Sequence, residues 1–392
     1  MGGRREARGL SLIELMIALV IGTILMLGVM QVFGASRAAY QLAEGMGRSQ
    51  ENARFAIDFL QRDIRMAGHF GCVNDQAHAR NSPPGMTTTF AAPAHPGLDF
   101  GVSIQGYEAD GTAPGASITL TESPSAGGTA YTPGLPAEID AATANRIAGS
   151  DILVLRYLAP EGVPITNIGG SIAAPVFEFE AGRWDVLRSG VTDPGLFGVA
   201  DCLHTVVFQA AAVDPAAGSV TAGAAPNNAV ADFSTAFTAG QSLLYRAESV
   251  VYYVGLNGSG RPSLYRTRFS AGPAGALTTD VQELVEGVEN LQLLYGQDRV
   301  VDPALEPTGF IDRQVVASSV PTGTFSLADS WRRVGAVQIG LVVVSPDRAG
   351  APTAALGDEL NAAGVSYTAP ADGRYRASYQ TTIALRNRLY GN

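Results

Sequence analysis

Residues 15–36 carry no charge at all, and within the longer run 10–34, LSLIELMIALVIGTILMLGVMQVFG, 18 of 25 residues are hydrophobic and Glu14 is the one charge. A helix needs roughly 20 predominantly apolar residues to cross the hydrocarbon core of a bilayer. This stretch meets that length, so the chain is expected to place one helix in a membrane. Ahead of it Arg4, Arg5 and Arg8 stand against Glu6, a net of +2. Positive charge beside a membrane span is retained on the cytoplasmic side, and the remainder of the chain is expected to face outward. A cleaved secretory signal has similar ingredients, including small residues such as Gly34, Ala35 and Ser36. Its apolar core, however, runs only about 7–15 residues, and a carboxylate at the mouth of a discarded segment serves no purpose. A plain membrane anchor accounts for the length of the run but leaves Glu14 unexplained.

Beyond this segment the chain has the makings of a folded domain. Its 392 residues are 46% hydrophobic and 16% charged, too apolar for a disordered chain. The 26 basic residues are all arginine, and against 36 acids they leave a net charge of −10. The acidity belongs to residues 69–392, where 18 Arg meet 30 Asp and Glu, a net of −12. A nonspecific nucleic-acid binder rests on a basic surface, so direct nucleic-acid binding is not expected. Two cysteines exclude both a disulfide-dense scaffold and a cysteine-based zinc module. The four histidines, His69, His78, His95 and His204, show no HExxH or Cys/His ligand spacing, and Gly258-Ser259-Gly260 lacks the setting of a phosphate loop or nucleophile elbow. Asp110-Gly111 and Asp372-Gly373 read as turns. No enzyme, metal site or cofactor is expected.

Residues 37–68 are rich in helix formers, with Ala53, Ile57, Leu60 and Ile64 on one apolar stripe and Arg54, Asp58, Arg62 and Arg65 on other faces. A single helix over 10–68, transmembrane in 10–34 and amphipathic beyond, would be about 87 Å long up to Ala67, with Gly68 and Gly71 ending it. From His69 onward the periodicity shortens to strands. These are expected at 152–157, 205–209, 249–255 paired with 263–269 across Asn257-Gly258-Ser259-Gly260, 334–344 and 378–385. The pattern predicts an antiparallel sheet carrying the stripe of the helix, with long loop insertions around 81–150 and 213–240. Cys72 follows the helix and Cys202 precedes a strand. In an oxidising periplasm a bridge between them would pin the helix end to the sheet, closing about 130 residues and contributing up to about 5 kcal/mol in the chain-entropy model; two free buried thiols are the alternative.

The stretch GLSLIEL at residues 9–15 resembles the processing signal of type IV prepilins: a short basic leader ending in Gly9, a hydrophobic first mature residue Leu10, and Glu14 at the fifth mature position. The blocks at 252–255, 264–266, 284–296 and 383–388 are similar to those of the PilW family of minor type IV pilins. Leu10 stands where many relatives have Phe, Gln31 where many major pilins have a helix-breaking Pro, and the head is larger than a typical major pilin's. The resemblance implies an α+β, pilin-like fold, with a leader at 1–9, the helix at 10–68, and a β-rich head at 69–392. It further implies cleavage by prepilin peptidase between Gly9 and Leu10, N-methylation of Leu10, and a role for Glu14 in subunit register. The expected partners are other minor and major pilins, the inner-membrane assembly platform and the lipid bilayer. The implied location is the inner membrane with the head in the periplasm, then the pilus. The implied work is priming of pilus assembly, with a place at the tip, in service of motility, adhesion or DNA uptake. Two rivals share parts of the pattern: a J-type pseudopilin of type II secretion, and a membrane-anchored adhesive binding module.

Overall fold

The computed structural model describes residues 11–72, 85–91, 94–229, 233, 237–302, 304, 305, 307–320, 325–349 and 360–388. One helix, Leu12–Met66, runs for 55 residues, about 80 Å at 1.5 Å per residue. Its apolar first half touches nothing: the most hydrophobic 18-residue window has a mean hydropathy of 2.6 and none of it is buried. Its second half buries Gly45, Ser49, Ala53, Ala56, Leu60, Asp63 and Ile64. These follow spacings of three and four, the repeat of a single helix face. The expected stripe is present at Ala53, Leu60 and Ile64, with Ala56 facing inward beside it and Ile57 half-buried at its border. Most of the seam residues are small, so the backbone sits close to the sheet. A Cβ on Gly45 would come within 3.1 Å of the Ala349 Cβ.

The helix lies on a four-stranded antiparallel sheet ordered Ile311–Val315, Val288–Asp298, Val334–Arg348 and Arg374–Ala384. Strand Val334–Arg348 shows the expected alternation, with Val337, Ile339, Leu341 and Val343 joining Leu60 and Ile64 in the main core. A second, larger sheet is organised around Leu243–Leu256. That 14-residue strand pairs with Pro262–Ala271 on one side and with Ile152–Leu158 on the other, in the expected hairpin register of Gly255 with Ser263 and Ser249 with Phe269. Strand Leu277–Glu286 extends this sheet and turns at Gly287, whose φ of 86° suits a residue without a Cβ, into Val288–Asp298 of the first sheet. The head is therefore mostly antiparallel and the fold is α+β; among the described residues parallel pairing involves two short strands, Met86–Thr88 and Ser117–Thr119.

The stretches expected as loop insertions are more structured than the sequence suggests. Within 81–150, strand Ile104–Ala109 is buried at every position and pairs with Ile152–Leu158 inside the larger sheet. Within 213–240, strand Ser219–Ala222 pairs with the end of Thr205–Asp214, and Val220, Ala222 and Phe233 enter a separate core with Phe177 and Phe208. The alternation fails as a signal in Ile104–Ala109 because both faces are covered, and the side chains there include Gln105 and Glu108.

Candidate functional site

Two regions of the helix carry the features expected of an assembling subunit, its free apolar end and its junction with the head. At the free end Ser11 is the N-cap. The Glu14 N–H donates to Ser11 Oγ at 3.2 Å and the Ser11 N–H donates to Glu14 Oε2 at 3.2 Å. This reciprocal capping box satisfies two N–H groups that a helix start otherwise leaves unpaired. Glu14 thus has a partner in its own backbone while its side chain stays exposed. Gly9 and Leu10, the expected cleavage pair, and the leader 1–9 lie outside the described residues, as does His78. Past Glu14 the helix displays large apolar side chains on all sides, from Leu15, Met16 and Ile17 to Val32 and Phe33. A surface of that kind requires lipid or other apolar helices around it.

At the other end the helix is fastened to the head by polar groups set among apolar ones. Asp63, 6% exposed, accepts a 2.6 Å hydrogen bond from the Tyr252 hydroxyl and pairs with Arg266 at 3.3 Å. Burial, reinforced by the Asp63 charge, raises the Tyr252 hydroxyl well above the usual tyrosine range, so it remains a donor. Asn52 Nδ2 donates to the Glu286 carbonyl at 3.0 Å, and Asn387 Nδ2 donates to the Arg65 carbonyl at 2.9 Å, covering one of the unpaired carbonyls of the last helical turn. The exposed pair Arg48–Asp347 at 3.7 Å adds little. Tyr252, Arg266, Glu286 and Asn387 all fall within the sequence blocks on which the resemblance to minor pilins rests. Those blocks supply polar groups that fasten the helix, while its apolar seam packs on Val334–Arg348. Asp63 itself was not legible in the sequence, because its partners lie 189 and 203 residues away.

Beyond Met66 the chain turns onto the larger sheet. The Leu158 N–H donates to the His69 carbonyl at 2.8 Å and Thr205 Oγ1 donates to the Phe70 carbonyl at 2.6 Å. Gly71 has φ 96°, and a Cβ there would come within 2.6 Å of the Ala200 Cβ. This close approach brings Cys72 against Cys202. Both are exposed thiols, and the hydrogen bond from Cys202, with some desolvation, raises the Cys72 pKa. Behind the junction, Asp151 spans the two sheets, accepting from the Ala109 N–H at 3.0 Å and from the Leu293 N–H at 2.8 Å. Burial pushes Asp151 well above the carboxylate range, with the nearby Glu108 adding to the shift, and burial pushes Glu108 up to about 7.

Among the described residues no group of three or more His, Cys, Asp and Glu side chains is placed to hold a metal ion. His69 lies edge-on to Tyr245, His95 edge-on to Phe269, and His204 stands 4.0 Å from Asp201. Compared with known protein families, residues 251–387 match the family described as Type IV Pilus-assembly protein W. Residues 4–30 match the prokaryotic N-terminal methylation motif. No curated protein and no solved structure matches the chain.

Proposed function

Taking the chain as the PilW-type minor pilin that both family matches support, we propose that it is cleaved between Gly9 and Leu10 by prepilin peptidase, methylated on the new amine of Leu10, and drawn into a priming complex that starts pilus polymerisation. The observation that carries this reading is the division of one unbroken helix. Its first half is wholly unburied and apolar, and its second half is moored to a large head. The free half serves first as the membrane anchor and then as the part that packs among neighbouring pilin helices. The positive leader supports a periplasmic head. The breadth of two sheets supports a place at the pilus end, where a wide head meets fewer neighbours.

Glu14 selects register in this scheme. Cleavage creates a cationic amine, and the carboxylate that caps its own helix through Ser11 exchanges that contact for the amine of an adjacent subunit. A subunit docked out of register leaves both charges unpaired in an apolar bundle, where each costs several kcal/mol. The Cys72–Cys202 bridge belongs to the same proposal and is supported by the nearness of the two thiols. The test is the mature N-terminus, read by mass spectrometry with and without prepilin peptidase. Methylated Leu10, present only with the peptidase, is expected; an intact Met1, or a start at Ala35 or Ser36, overturns the reading.

A further inference from the structure

Beside the last turns of the long helix, between it and the larger sheet, lies a groove of about 700 Å³. Its floor carries Arg246 from Leu243–Leu256 and Arg266 and Arg268 from Pro262–Ala271, and Arg62 and Arg65 project from the helix at its rim. The acids at the groove are Asp58, Asp63 and Glu248, so five cations face three anions. This local excess of +2 sits on a head whose net charge over 69–392 is −12.

The floor arginines share the acceptors that the protein supplies. Arg246 and Arg268 both pair with the single carboxylate of Glu248, at 2.5 and 3.0 Å. Arg266 divides its donors between Asp63, which Tyr252 shares, and Gln282 Oε1 at 2.8 Å, and Arg268 also reaches the exposed Asp280 at 3.7 Å. The Nε–H groups of Arg246 and Arg266 have no hydrogen-bond partner, and Arg246 is 5% exposed. A carboxylate suits the planar fork of arginine, which bonds it through two parallel N–H groups. The volume exceeds that of a single small anion several-fold and matches a few residues of extended peptide.

We infer that this groove is a docking site for an acidic peptide segment of another protein, held by carboxylates seated on Arg246, Arg266 and Arg268 and guided in by Arg62 and Arg65. Its place at the helix terminus, some 70 Å from the capped end at Ser11 by helix length, puts it far from any bilayer around the apolar half. The surrounding acidic surface repels anions in general, so capture depends on the groove alone. The inference does not depend on the pilin reading and is testable without assembly.

The experiment uses the full chain in nonionic detergent and follows fluorescence polarisation of labelled hexaglutamate. Binding is expected to weaken as salt rises, and to drop ~10-fold in the double variant Arg62→Glu, Arg65→Glu. Both positions are exposed on the helix, and circular dichroism checks that the fold is kept. Arg54→Glu, a helix arginine away from the groove, is expected to leave binding unchanged. Four results overturn the inference: no binding of hexaglutamate, equal binding of hexaglutamine, equal losses in the Arg54 and Arg62/Arg65 variants, or competition by inorganic phosphate at matched concentration as strong as by unlabelled hexaglutamate, which would mark a single-anion site.

Discussion

Asp63 takes its importance from what it separates, a buried phenol and a guanidinium with few other acceptors. Asp63→Ala deprives Tyr252 and Arg266 of their shared carboxylate, with Gln282 and Glu248 still facing Arg266, and a loss of about 1–3 kcal/mol in unfolding free energy is expected. Asp63→Asn keeps an acceptor for Tyr252 and is expected to lose less; denaturant titration separates the two, and equal stabilities would remove the mooring role. At the opposite end, Glu14→Ala and Glu14→Gln are both expected to leave membrane insertion intact and to abolish incorporation into pili, scored by fractionation against sheared filaments. The glutamine keeps the hydrogen-bonding shape of the capping box, so a normal pilus content for Glu14→Gln would mean that the cap, and not the charge, is what assembly uses. Glu108 supplies a pH dependence. Its pKa in the fold is about 7, above its ordinary 4.5, so folding favours the protonated form. The stability this contributes is complete below about pH 4.5 and is lost as pH rises through 7. Glu108→Gln is therefore expected to raise the melting temperature at pH 8 by roughly 2–4 °C, a gain of about 1 kcal/mol, and to change it little at pH 4.5. A gain that is the same at both pH values would contradict the assignment.

The helix seam is an element whose residues are chosen for thinness. Gly45, Ser49, Ala53 and Ala56 bring its backbone down onto Val334–Arg348, where the dispersion contacts of a close-packed interface accumulate. Gly45→Leu forces the helix away from Ala349 and Ser345, and a cost of about 1–3 kcal/mol is expected, measured as a lower denaturation midpoint with the N-terminal apolar half unaffected. The lower part of the seam, Ala53, Leu60 and Ile64, was legible in the sequence because a helix repeats its burial every three or four residues, whereas Gly45 and Ser49 lie where the apolar stripe is broken; Val334–Arg348 was legible because Val337, Ile339, Leu341 and Val343 recur at every second position, although its other face is covered too. Ile104–Ala109 was not, since a strand covered on both faces has no polar side to reveal it, and Gly106 sits where any Cβ would strike the Tyr295 ring. The free half of the helix was the most legible of all, because a run without charge needs no partner elsewhere in the chain to declare itself. The mooring of Asp63 and the arginine groove stayed hidden for the opposite reason. Each is assembled from strands and a helix that meet only in three dimensions.

On the scale of the molecule the helix and the two main sheets share one core, in which Ala53, Leu60 and Ile64 meet Leu155, Tyr252, Leu291 and Ile339, and the Gly287 turn, Asp151 between Ala109 and Leu293, and the segment after Met66 tie its parts together. A Cys72–Cys202 bridge would add a covalent tie between the helix end and the larger sheet. Cys72→Ser is expected to lower stability by up to about 5 kcal/mol under oxidising conditions and to have little effect once the wild type is reduced. Nonreducing digestion of the wild type should release the two cysteine peptides linked; their release as separate peptides would leave the junction held by hydrogen bonds and packing alone. The bond from Asn387 to the Arg65 carbonyl spans 322 positions in the chain, and the strands that cover the helix, Val334–Arg348 and Arg374–Ala384, are among the last to be made. The helix is therefore synthesised first and covered last. At roughly 5–20 residues per second, the face bearing Ala53, Leu60 and Ile64 waits tens of seconds for its sheet. Through that interval only the earlier strands Ile152–Leu158 and Leu243–Leu256 are present to shield part of that face, so the helix stays partly uncovered until the C-terminal strands arrive.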